Sequence, residues 1–150
     1  MGKISEILGR ARERAVQLGL PYAGALLPAE AHQILQLAPG ARLVDVRTRA
    51  EWDWVGAIPG SVKIEWNQYP GGDRNPNFLN ELRQQVDPES LTMFICRSGG
   101  RSHHAAAAAS QAGYQASYNV LEGFEGDKDG DGHRNTQGGW RKAGLPWTQS

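Results

Sequence analysis

The stretch LTMFICRSGGRS, residues 91–102, decides the fold. Its first five residues form a short apolar run that is typical of a buried strand. The run leads directly to Cys96, and two glycines follow before a segment with five consecutive alanines, which favour a helix. The stretch therefore predicts a strand, a tight loop and a helix, with Cys96 at the carboxyl end of the strand.

Similar strand-like runs alternate with helical patterns along the rest of the chain. This alternation predicts an α/β fold, a three-layer domain with a central, mostly parallel sheet flanked by helices. Ligands of such sheets bind outside the carboxyl ends of the strands, which is where Cys96 lies. Strands are predicted at 23–27, 41–46, 62–66, 91–95 and 118–121, and helices at 4–18, 28–37, 49–54, 78–86 and 102–112, with a last short helix within 138–147.

The length of 150 residues fits one domain. Residues 1–20 are interpreted as an amphipathic helical extension and residues 21–150 as the domain itself. The 16 basic and 16 acidic residues cancel, which argues against a nucleic-acid partner. Because Cys96 is the only cysteine, an internal disulfide and a multi-cysteine zinc site are both excluded.

Membrane insertion and export are not expected from the composition. Charged residues such as Arg10 and Glu13 interrupt the apolar pattern near the start, and no apolar run approaches the roughly 18 residues of a membrane helix. We expect a cytoplasmic protein without a membrane partner. The sequence leaves its oligomeric state open.

The loop that follows the predicted strand at 91–95 has the features of an anion-binding site around a nucleophile. A glycine pair lets backbone N–H groups point inward, and a following helix adds the positive end of its dipole. Two arginines add full charges, and all of these features favour a thiolate. The candidate catalytic residue is Cys96, and the candidate substrate-binding residues are Arg97, Ser98, Gly99, Gly100 and Arg101.

Four short motifs together resemble one family, the single-domain rhodaneses, which are sulfurtransferases. The resemblance covers roughly residues 23–147 and implies the rhodanese-like fold. Ala57 departs from it, because the second motif usually carries a histidine there, and we expect only local repacking. The motifs are LVDVR at 43–47, GAIPGS at 56–61, CRSGGR at 96–101, and VLEGF at 120–124 with GGW at 138–140 and AGLP at 143–146.

The resemblance implies a ping-pong sulfur transfer. Cys96 would take the outer sulfur of a small anionic donor such as thiosulfate and hold it as a persulfide. Backbone N–H groups of residues 97–101 would stabilise the persulfide, and Arg97 and Arg101 would orient the donor. A thiol, cyanide or a protein would then accept the sulfur. No cofactor and no metal is expected.

Two alternatives remain open at this point. One is a sulfur-carrier or regulatory binding module whose acceptor is a protein. The other is a cysteine-dependent phosphatase or arsenate reductase on the same fold. Phosphatases of this type place five residues between the cysteine and the arginine, whereas four separate Cys96 from Arg101. The smaller loop suits a single sulfur atom better than a tetrahedral phosphate.

Three charged residues are predicted to support the site. Asp45 ends a buried strand, where a charge needs a partner, and Arg47 and Glu51 are the candidates on adjacent turns. His103 and His104 are interpreted as partly exposed helix residues, although either could serve as a base.

The segment 127–132, DKDGDG, imitates a calcium loop but has Gly138 where the bidentate glutamate would stand, so we interpret it as a solvated loop. Residues 127–137 are predicted to border the Cys96 pocket and to help choose the acceptor. The five tryptophans are expected to enlarge a core that is short of leucine and isoleucine.

Overall fold

A computed structural model describes residues 2–68 and 71–149, and five strands in it form one sheet. The strands stand in the order β1-β5-β4-β2-β3, and each neighbouring pair is parallel. The predicted α/β class with a parallel central sheet is therefore confirmed. In chain order the elements are α1 (Gly2–Leu18), β1 (Gly24–Leu26), α2 (Pro28–Leu37), β2 (Arg42–Asp45), α3 (Arg49–Trp54), β3 (Val62–Lys63), α4 (Phe78–Gln85), β4 (Thr92–Ile95), α5 (Gly100–Gln111) and β5 (Ser117–Val120).

Helices cover both faces of the sheet, which gives the three layers. On one face, Ile7 of α1 and Ile34 of α2 pack in a cluster with Phe124 and Trp140. On the other face, side chains of α4 and α5 such as Leu82 pack against the sheet. All four residues of the central strand β4 are buried, as expected for a strand with helices above and below it.

The N-terminal helix α1 is packed tightly on the edge strand β1. An added Cβ at Gly24 would lie 2.9 Å from the Ala11 backbone, so this close approach requires a glycine. Arg14 donates two hydrogen bonds to the Glu30 carboxylate, at 2.6 and 2.9 Å, and a third to the Ala25 carbonyl. Charge and packing together hold α1 to the sheet.

Several boundaries differ from the predictions. Helix α5 begins at Gly100, two residues early, because Gly99 has a φ of +109° and acts as its cap. Strand β3 ends at Lys63, although the Ile64 and Trp66 amides still bond to carbonyls of the β2 segment. The predicted short helix within 138–147 is wrong, since turns occupy 140–144 instead.

The tryptophans only partly follow the prediction. Trp66 and Trp140 are buried, whereas Trp54 is 79% exposed. Among the described residues, no helix combines the length and the apolar character that crossing a bilayer requires.

Candidate active site at the end of the central strand

Cys96 directly follows the central strand and is buried, with only 1% of its surface exposed. The left-handed backbone at Gly99 turns the chain back, so that the Gly99 N–H donates a hydrogen bond to Cys96 Sγ at 3.1 Å. The first N–H groups of α5, which follow Gly99 directly, lack intrahelical carbonyl partners. The local sequence thus holds the sulfur against the Gly99 backbone donor, which stabilises negative charge on it.

A buried polar pair supports the sulfur from the side of β5. Ser102 Oγ lies 3.4 Å from Cys96 Sγ and 2.6 Å from Asn119 Oδ1. Asn119 Nδ2 in turn donates to the Gly99 carbonyl at 3.3 Å. Ser102 and Asn119 therefore connect the loop, helix α5 and strand β5. The sequence prediction missed both, although a polar residue inside the buried strand SYNV was a usable signal.

A second turn packs directly beneath the Cys96 loop. The Phe124 N–H donates to the Cys96 carbonyl at 2.8 Å, and the Glu125 N–H donates to the Arg97 carbonyl at 2.9 Å. Gly123, with a φ of +64°, directly precedes Phe124, and a Cβ there would come within 2.5 to 2.6 Å of the Cys96 and Arg97 carbonyl atoms. The glycine of the VLEGF motif is thus required by the fit of two turns.

Arg101 is bound to Glu51 by two hydrogen bonds, Nη1 to Oε1 at 2.7 Å and Nη2 to Oε2 at 3.0 Å. Burial alone would raise the pKa of the Glu51 carboxyl, but the hydrogen bond and charge of Arg101 outweigh it and lower this pKa. Burial likewise opposes the charge on Arg101, yet Glu51 raises the pKa of the guanidinium overall. Both groups therefore stay charged beside the loop.

Asp45 and Arg47 form a second ion pair that is completely buried, with 0% exposure of either side chain. Arg47 Nη2 donates to Asp45 Oδ2 at 2.7 Å and to the Gly56 carbonyl at 2.8 Å. Its guanidinium lies 4.2 Å from the centre of the Phe124 ring. The two motifs LVDVR and GAIPGS are thereby joined to the turn beneath the loop.

The fold brings the predicted site residues together, but they differ in exposure and in the residues that they contact. Arg97 is exposed, Ser98 and Gly99 are half-buried, and Gly100 begins α5. Glu51 contacts Arg101 rather than the Asp45–Arg47 pair, a partnership across 50 residues that local spacing did not reveal. Arg97 is left as the exposed arginine of the loop.

A groove of about 350 Å³ lies beside the Cys96 loop. Its lining includes Ser98 and Gly99 of the loop, His103 of α5, and Leu20 and Tyr22 from the connection between α1 and β1. Within the described chain, none of residues 127–137 lines it, so the prediction that this segment borders the pocket is not supported. The segment folds on itself, with Asp129 Oδ1 accepting the Asp131 and His133 amides.

Across residues 2–68 and 71–149, no group of three or more His, Cys, Asp or Glu side chains is placed to hold a metal ion. The pKa of the Asp129 carboxyl is lowered by hydrogen bonds from the His133 backbone and the Thr136 side chain.

Fold and site define a class of protein: an α/β domain with a buried cysteine in a cation-flanked loop at the end of its central strand. A family model described as rhodanese-like domain matches residues 27–129. The chain belongs to the rhodanese-like domain family.

Three known proteins illustrate this relationship. The chain is 45% identical to Rv0390 of M. tuberculosis, whose crystal structure superimposes with a TM-score of 0.79 over 86% of this chain and 99% of that one. It is 36% identical to uncharacterized protein RC0915 of Rickettsia conorii, over 79% of this chain and 91% of the relative. It is 28% identical to thiosulfate sulfurtransferase 16, chloroplastic, of Arabidopsis thaliana, over 77% and 85% of the two chains.

Proposed function

We propose that the protein is a sulfurtransferase that carries sulfane sulfur as a persulfide on Cys96. The observation that carries this proposal is the 3.1 Å hydrogen bond from the Gly99 N–H to Cys96 Sγ. A backbone donor aimed at the sulfur stabilises it both as the attacking thiolate and as the leaving thiolate. A merely structural buried cysteine would not need such a donor.

In the first half-reaction, the Cys96 thiolate attacks the outer sulfur of an anionic donor such as thiosulfate. A bond forms between Sγ and the outer sulfur, the sulfur–sulfur bond of thiosulfate breaks, and sulfite leaves with the electron pair. Arg97 is exposed at the loop and supplies positive charge for the incoming anion. Arg101 contributes its charge from a fixed position, because Glu51 holds it.

In the second half-reaction, an acceptor removes the outer sulfur and restores the Cys96 thiolate. A thiol, cyanide or a protein can play this part, and the reaction is therefore ping-pong. The thiosulfate sulfurtransferase name of the Arabidopsis relative is in keeping with this proposal. The small loop, with four residues between Cys96 and Arg101, favours a single sulfur atom over a phosphate group.

Intact-mass measurement after treatment with thiosulfate tests the proposal. The wild-type chain should gain the mass of one sulfur atom, and Cys96→Ser should gain none. Cyanide should then remove the added sulfur and yield thiocyanate. Hydrolysis of a phosphate ester without any persulfide would instead support the phosphatase alternative. A stable persulfide that cyanide removes only slowly would favour a carrier module with a protein acceptor.

A further inference from the structure

The groove adjoins the loop that carries Cys96 and shares residues with the surroundings of its sulfur. Gly99 belongs to both, because it lines the groove and its N–H lies 3.1 Å from Cys96 Sγ. Asn119 also lines the groove and bonds to Ser102, which is 3.4 Å from the same sulfur. A molecule in the groove therefore lies against the loop that would hold the persulfide.

Two other sides of the loop are occupied by the protein itself. On the side of α3, the ion pair between Arg101 and Glu51 closes the loop. From beneath, Gly123 lies so close to the loop that an added Cβ would come within 2.6 Å of the carbonyl oxygens of Cys96 and Arg97. The groove lies on the side of the loop that faces the end of α1.

The residues that line the groove indicate which kind of ligand it can bind. Leu18, Leu20 and Leu121 contribute apolar surface, and Leu18 is 62% exposed although it is a large apolar residue. Glu122 also lines the groove, but its carboxylate Oε1 accepts a hydrogen bond from the Gly139 N–H at 2.9 Å. The three leucines disfavour a charged occupant, because a charge loses its hydration against apolar side chains. The lining thus differs from the cationic loop, which suits an anion, and fits a neutral aliphatic group.

The buried Tyr22 fixes the position of the His103 imidazole, a polar group of the groove. The Tyr22 hydroxyl and His103 Nδ1 lie 2.8 Å apart in a hydrogen bond, and the two rings meet edge to face. Burial raises the pKa of the Tyr22 hydroxyl, so this group remains protonated at neutral pH. His103 is thereby held in place against the groove, where its ring can hydrogen-bond to a polar atom of the occupant.

We propose that this groove is the acceptor site and that the acceptor is a thiol carried on an uncharged aliphatic arm. The inference rests on the proposed sulfur transfer and names the acceptor class for it. The acceptor thiolate forms a bond to the outer sulfur of the protonated persulfide, while the bond from that sulfur to Cys96 Sγ breaks. Cys96 leaves as a thiolate beside the Gly99 N–H, and the acceptor's own thiol proton passes to solvent.

Binding is tested without any sulfur chemistry, using an S-methylated mercaptohexanamide that cannot react. We expect saturable shifts in the NMR spectrum of the full chain at Leu18, Leu20 and His103. Leu18→Asp should weaken binding about tenfold, because it replaces apolar contact by a charge. The matched control is Leu37→Asp, since Leu37 is also an exposed leucine at the end of a helix and lies outside the groove. Absence of binding, or equal losses in both variants, would overturn the proposal.

Acceptor kinetics provide the second measurement. On chain preloaded with persulfide, Leu18→Asp should slow transfer to mercaptohexanamide by about tenfold and leave transfer to cyanide unchanged, since cyanide is too small to need the groove. Equal effects on both acceptors would contradict the acceptor assignment. If the analogue binds and no persulfide ever forms, the proposed function fails while the groove remains a binding site. If the persulfide forms and the analogue does not bind, the groove proposal alone fails.

Discussion

Arg101 and Glu51 are joined by two hydrogen bonds that fasten the first turn of α5 to α3. Their side chains are 24% and 18% exposed, so water competes only partly for the charges. The pair therefore does two things at once: it holds a positive charge beside Cys96 and fixes the position of the loop that contains the cysteine. Its removal is expected to affect both stability and chemistry.

Glu51→Gln should lower the free energy of unfolding by about 1–3 kcal/mol, because Arg101 loses charge-assisted hydrogen bonds. Urea denaturation measures this change. The control is Asp53→Asn in the Arg49–Asp53 pair of the same helix, whose side chains are 83% and 60% exposed. That exposed pair should contribute less than about 1 kcal/mol. Equal losses in the two variants would contradict the importance of the Arg101 contact.

The stability difference between wild type and Glu51→Gln should depend on pH in a defined direction. The pKa of the Glu51 carboxyl is lowered in the folded chain relative to its unfolded value of about 4.3. Its contribution is therefore present above the unfolded pKa and disappears as the pH falls through the folded pKa. Urea titrations from neutral to acidic pH should show the two curves converging. A gap that stays constant into strong acid would count against the ion pair.

Gly123→Ala should disturb the two stacked turns beneath Cys96. A left-handed backbone costs an alanine about 1–3 kcal/mol, and the added Cβ would overlap the Cys96 and Arg97 backbone. Displacement of the loop by a fraction of an ångström to 1 Å can slow persulfide formation by up to about 100-fold. Thermal unfolding and the rate of sulfur uptake measure the two effects.

Gly130→Ala is the control for this glycine, because a Cβ there meets no atom within 4 Å and its φ is not left-handed. This variant should unfold and take up sulfur like the wild type. If Gly123→Ala behaved the same way, the close fit between the two turns would have no role.

Asp45→Asn should be among the most destabilising polar substitutions in the chain. It leaves the Arg47 charge fully buried without its carboxylate, a loss of about 3–5 kcal/mol. The double variant Asp45→Leu with Arg47→Met removes both charges and should lose less stability than the sum of its two single variants. Denaturant unfolding of the four chains measures this coupling, and additive losses would argue against it.

The fold followed from the sequence because its elements have strong local signals. The buried strand before Cys96 and the alanine-rich helix after it are visible in LTMFICRSGGRS and the residues that follow. The conformation of Gly99 was implied by its type, yet its consequence, a helix that starts at Gly100, depends on the φ angle that the fold imposes. The hydrophobic periodicity of a sequence indicates which face of a helix or strand is buried, but it does not give backbone φ angles.

The partners within the site could not be derived in the same way. Glu51 was assigned to the Asp45–Arg47 neighbourhood by its closeness in sequence, whereas the fold brings it to Arg101. Tyr22 and His103 are 81 residues apart in sequence, and neither residue type indicates that the two side chains form a hydrogen bond. Long glycine- and aspartate-rich stretches suggested a wall for the pocket at 127–137, but the wall comes from the end of α1.

The order of the strands separates two roles within the molecule. Cys96 follows the central strand β4, which is bonded to β5 on one side and β2 on the other. The wall of the groove with Leu18, Leu20 and Tyr22 precedes the edge strand β1, which pairs only with β5 among the described strands. An edge element can vary without disrupting the centre of a sheet. Exchange of α1 and its connection between relatives is therefore expected to change the proposed acceptor preference while Cys96 and its loop are kept.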